Sequence, residues 1–74
     1  MKDIEKLLSN LDDSERSRLL YLISALQVDS KRSSELINVM FRLGNSIYFN
    51  KILNELQNSS NIIYDAKLLR EKML

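Results

Sequence analysis

Gly44 is the only glycine in a chain of 74 residues that has no proline at all. Tight β-hairpins depend on Gly, Asn-Gly or Pro at their corners, so a sheet of several hairpins has almost no turn chemistry to draw on here. Leu, a good helix former, supplies fourteen residues and Val only two, although seven Ile residues soften the contrast. The expected fold class is all-α: about five short helices in one domain spanning residues 1–74, since a chain of this length has room for one core.

The same composition restricts function. With no Cys and no His, disulfides, thiolate or imidazole zinc sites, and His- or Cys-based catalysis are all excluded. A single glycine cannot build a phosphate-cradling loop. The acidic cluster Asp12, Asp13 and Glu15 has oxygen donors for a hard cation, but helix capping accounts for it with fewer assumptions. The chain is therefore read as a non-enzymatic protein with no cofactor and no metal. Residues 2 to 6 run Lys-Asp-Ile-Glu-Lys where a signal peptide needs an apolar run, and the longest apolar stretch is Leu19 to Ile23. A soluble cytoplasmic protein with no membrane contact is expected.

Helical spacing divides the chain. Ile4, Leu7, Leu8 and Leu11 fall at i, i+3, i+4 and i+7, which predicts a first helix over residues 2 to 10. Asp12 with Glu15 three residues on is a capping-box pattern and opens a second helix, with Leu19, Leu22, Ile23 and Leu26 on its inner stripe and an end near Gln27. Arg16 and Arg18 stand on its early turns, where the helix dipole disfavours cations; either a bound anion or the neighbouring Asp12, Asp13 and Glu15 account for them. Residues 28 to 32 read as a connection. A third helix carries Leu36, Ile37, Met40 and Leu43.

Gly44 then suits a helix end, and Asn45 or Ser46 can cap a fourth helix bearing Phe49, Ile52, Leu53 and Leu56. Residues 33 to 57 also fit one long helix, because a buried face repays the roughly 1 kcal/mol cost of an internal Gly. The break is the preferred reading. Asn58 to Asn61 form a polar loop, and a fifth helix follows with Ile62, Ala66, Leu69 and Met73 on one face.

The net charge of +1 conceals an uneven layout. Residues 1–15 carry −3, residues 16–51 carry +4, and the remainder balances. A basic middle is an electrostatic footprint for nucleic acid and equally the ordinary solvation of a small surface.

Helices two to four, over residues 13 to 64, resemble the trihelical core of helix-turn-helix and winged-helix DNA-binding regulators. The run from Arg18 to Leu26 resembles their first helix, Ser34-Glu35-Leu36 the opening of their second, and Ile47, Leu53 and Leu56 the buried positions of a recognition helix. Asn61-Ile62-Ile63-Tyr64 resembles the first strand of a wing, although residues 65 to 74 leave no room for its return. Met40 and Asn50 depart from the family pattern, which favours a small residue and a buried aliphatic there.

The resemblance implies that residues 45 to 57 lie in the major groove of double-stranded DNA, with Asn45, Ser46, Tyr48 and Lys51 toward base edges and Arg16, Arg18, Lys31, Arg32 and Arg42 on phosphates. The competing roles are helix capping for Asn45 and Ser46, and core or dimer packing for Tyr48.

A rival class is a helical interaction module, an adaptor or inhibitor of another protein. A small core gains from association, which favours a homodimer under either reading. Val39, Phe41, Ile47, Tyr48, Leu68 and Leu74 lie off the inner stripes and are the expected partner-facing residues.

Overall fold

Five α-helices carry the chain in the computed structural model, which describes residues 3–43 and 46–74: α1 (Ile4–Ser9), α2 (Asp13–Val28), α3 (Ser33–Arg42), α4 (Ile47–Gln57) and α5 (Ile62–Met73), with a 3-10 turn at Ser30–Arg32. No strand occurs among the described residues. The all-α expectation holds, and its helices fall within a few residues of the stripes that predict them.

Each boundary has a local cause. The Asp12 carboxylate accepts the Glu15 amide at 2.7 Å while the Glu15 carboxylate accepts the Asp12 amide at 3.1 Å, closing a reciprocal capping box at the start of α2. Asp29 accepts the Lys31 amide at 3.2 Å and opens the 3-10 turn, so the expected connection over residues 28 to 32 is itself partly helical and leads straight into α3. Ser46 has extended backbone, with φ −66 and ψ 165, and accepts the Phe49 amide at 3.3 Å. That N-cap separates α3 from α4 and rules out a single helix from 33 to 57. Gly44 and Asn45 lie outside the described residues, as does Lys2 from the expected first helix.

Asn61 caps α5 by accepting the Tyr64 amide at 3.2 Å, and the Ser59 hydroxyl donates to the Asp65 carboxylate. These contacts correct the wing reading, because residues 61 to 64 are an N-cap and the first turn of a helix. Helix is favoured there because Asn61 satisfies an amide that a strand without a partner would leave open.

Fifteen buried apolar residues form one cluster among the described residues. α2 contributes Leu19, Leu22, Ile23 and Leu26; α4 contributes Phe49, Ile52, Leu53 and Leu56; α5 closes over them with Ala66 and Leu69. α1 lies across α4 and α5, and its Ile4 and Leu8 complete the core. Leu43, expected on the inner stripe of α3, is exposed, since α3 ends at Arg42 and Leu43 is its C-cap. Phe41 and Tyr48 go the other way: both are half-buried and pack against the core rather than facing outward.

The surface area is 4817 Å², against about 4,700 Å² for an average monomer of this mass. One protomer therefore closes its core about as well as a typical monomer does.

Candidate nucleic-acid interface

Of the nine residues proposed for DNA contact, Arg16 and Arg18 lie on α2 and Asn45 lies outside the described residues, while the other six lie on or beside α3 and α4, so what holds α4 decides what that helix can present. Its inner face, Phe49, Ile52, Leu53 and Leu56, is fully buried. The opposite face carries Ile47, Lys51, Asn54 and Glu55, all exposed. The connection from α3 spans only residues 43 to 46, a length that suits two helices packed as a helix-turn-helix pair. α3 packs on both α4 and α2.

A second tie fixes the start of α4. The Glu15 carboxylate Oε2 accepts the Ser46 amide at 3.1 Å and the Ser46 hydroxyl at 2.6 Å. Its other oxygen serves the capping box of α2, so one buried carboxylate joins the first turns of two helices. Burial pushes the Glu15 carboxyl up, but donation by the Ser46 hydroxyl and by the Asp12 and Ser46 amides, with the positive charge of Arg18, outweighs it and holds the group below its ordinary value.

The nine residues singled out from the sequence fall into three groups. Lys31, Arg42 and Lys51 are exposed along the α3–α4 unit: one in the turn before α3, one at its last residue, one on the second turn of α4. Others are engaged within the chain. Arg16 is half-buried and donates from Nη2 to the Leu8 carbonyl at 2.7 Å, capping the end of α1 where the dipole favours a cation. Arg32 donates to both carboxylate oxygens of Glu35, at 3.1 and 3.2 Å, and this exposed pair holds the Glu35 carboxyl below its ordinary value. Arg18 is half-buried near Glu15. Ser46 spends its hydroxyl hydrogen on Glu15 and accepts from Phe49, which is the capping role, while Tyr48 is half-buried against the core. Asn45 lies outside the described residues.

Asn54, which sequence reasoning passed over, belongs to the outer face of α4. So does Ile47, which is 63% exposed rather than in the buried position of a recognition helix that the resemblance implies, because it stands opposite the stripe of Phe49, Ile52, Leu53 and Leu56. Asn54 and Ile47 follow from the buried stripe, because the face opposite Phe49, Ile52, Leu53 and Leu56 must carry positions 47, 51 and 54. An exposed Asn amide can pair with an adenine edge, and Ile47 offers a methyl-bearing surface.

Elsewhere the described residues form shallow grooves. The larger of two comparable ones, 490 Å³, lies between α2 and α3 against Tyr21, Ala25, Val28 and Leu36. No group of three potential metal ligands occurs among the described residues, and no described helix is long and apolar enough to cross a membrane.

No protein-family model, curated protein or solved structure matches this chain.

Proposed function

We propose that this chain is a small non-enzymatic DNA-binding regulator that lays the outer face of α4 in the major groove of double-stranded DNA. The observation that carries the proposal is the α3–α4 unit. A four-residue connection and the Glu15–Ser46 tie hold α4 by its inner face, leaving Lys51 and Asn54 outward with Arg42 and Lys31 on the adjoining segment. Lys51 and Asn54 supply a cation and a bidentate amide at the helix face that a groove would receive. Arg42 and Lys31 supply the phosphate contacts that set register. Arg16, Arg18, Arg32 and Ser46 contribute less, because each has work within the fold.

Fluorescence anisotropy with a random duplex at low salt tests this reading. Binding whose logarithm falls linearly with the logarithm of salt concentration supports it. No binding at tens of micromolar protein refutes it.

A second reading has its own support. Val39, Leu43 and Ile47 are exposed on α3 and at the start of α4, and exposed apolar side chains beside Arg42 and Lys51 also suit a protein partner. On this reading the chain is a helical interaction module, and replacing Val39 or Leu43 with Ser abolishes partner capture while leaving anisotropy with DNA flat throughout.

A further inference from the structure

The outer face of α5 plays no part in the DNA reading, yet it holds three of the eight large apolar side chains exposed among the described residues: Ile63, Tyr64 and Leu74. Ala66 and Leu69 are buried, and Ile62 and Met73 pack against the core, so the inner face is fixed. At 100° per residue the opposite stripe runs through Tyr64, Lys67 and Glu71 and reaches the C-cap Leu74, whose amide still donates to the Arg70 carbonyl at 3.1 Å. These positions advance by three, four and three residues, which is the spacing of a seam along which two helices pack. Tyr64 is 61% and Leu74 85% exposed, and Lys67 and Glu71 are exposed between them.

The order of side chains along this stripe is self-complementary in one direction only. If a second copy of α5 packs antiparallel, with the twofold axis level with residue 69, Tyr64 meets Leu74 of the other copy and Lys67 meets Glu71. The twofold repeats both layers, giving apolar contacts outside and two opposite-charge pairs inside. A parallel pair would instead set Lys67 on Lys67 and Glu71 on Glu71, and like charges in register are repulsive. Asp65, the remaining acidic residue of α5, is bonded to Ser59, and Lys72 pairs with Glu5 of α1 at 2.9 Å, so neither disturbs the pattern. Exposed Arg70 flanks the stripe on the groove side, off the line of the four layers. A shallow groove of 470 Å³ beside the stripe, between α5 and Gln27 of α2, widens the surface that a second helix would cover.

From this charge and apolar order we infer that the α5 face docks a second copy of this chain as an antiparallel α5–α5 pair, with Lys67 of each protomer against Glu71 of the other. The inference stands apart from DNA binding and is tested without DNA. A seam of four layers is smaller than a standard interface, so the dimer is reversible, with a dissociation constant on the order of 10–500 µM.

Sedimentation equilibrium of the full chain up to about 1 mM reads the association. The wild type forms a dimer, and Lys67→Glu and Glu71→Lys each weaken it by at least about tenfold, since each creates two like-charge layers. Mixing the two variants in equal amounts restores association, because in the mixed dimer both layers again hold opposite charges. The double variant, with the charges exchanged, restores it within one chain. Circular dichroism confirms that these exposed substitutions keep the helices; if a single variant loses them, Tyr64→Ser on the outer layer takes its place and weakens the dimer. A wild type that is monomeric throughout, single variants that associate as the wild type does, or a mixture that fails to recover overturns the inference.

Discussion

Glu15 and Ser46, thirty-one residues apart, meet through two hydrogen bonds to one carboxylate oxygen, 3.1 Å from the amide and 2.6 Å from the hydroxyl. The contact binds the N-terminus of α2 to that of α4 and makes the capping box a tertiary device. A buried carboxylate that loses a donor carries an unsatisfied desolvation cost, whereas a donor that loses the carboxylate leaves an amide unpaired.

Removing either partner should therefore cost more than an ordinary cap. Glu15→Ala is expected to destabilise by about 2–4 kcal/mol and Ser46→Ala by about 1–3 kcal/mol. Because the two share their bonds, the double variant loses less than the sum of the singles, by about 1 kcal/mol. Urea unfolding of the four proteins of the cycle measures this, and strict additivity would remove the tie from the account.

Acid should act through the same group. The Glu15 carboxyl is held below its ordinary value in the folded chain, so its ionised form contributes stability that is complete above the unfolded pKa, about 4.3, and is lost as pH falls through the lower folded value. Glu15→Gln lacks that contribution. The stability gap between wild type and Glu15→Gln is expected to stay constant above about pH 5.5 and to narrow steadily below about pH 4.3. A gap that widens in acid contradicts the direction of the shift.

Much of the fold is legible in the sequence because each helix announces its inner face. Ile52, Leu53 and Leu56 follow Phe49 at helical spacing, and all four are fully buried. The capping box is readable because both of its residues lie within one turn. Pairwise contacts across the chain are not readable in this way: nothing near Glu15 points to residue 46, and nothing near Arg16 points to the Leu8 carbonyl. The same limit applies to the candidate interface. Counting cations finds Lys31, Arg42 and Lys51, but it also counts Arg16 and Arg32, whose engagement with a carbonyl and a carboxylate depends on the folded arrangement.

Asn50 supplies a stability prediction of opposite sign. Its side-chain Oδ1 is buried with no hydrogen-bond partner among the described residues. Asn50→Leu is expected to stabilise by about 1 kcal/mol, since it removes an unsatisfied acceptor and adds apolar burial. A rise in the thermal midpoint by a few degrees is the expected reading; a fall would place a bound water or partner on that oxygen.

The proposed DNA binding predicts a salt dependence that separates exposed cations from those engaged within the fold. Each phosphate neutralised contributes about 0.9 to the slope of log affinity against log salt. Arg42→Ala and Lys51→Ala are each expected to lower the slope by about that amount, whereas Arg32→Ala, whose guanidinium already holds Glu35, lowers it less. Lys67→Ala, on the α5 face, leaves the intrinsic slope unchanged when measured below the dimerisation range. If the outer face of α4 lies in the groove as proposed, replacing Lys51 also alters sequence preference, while replacing Arg42 at the end of α3 weakens all sequences alike. Equal slopes for all four variants would move the DNA-facing surface away from α3 and α4.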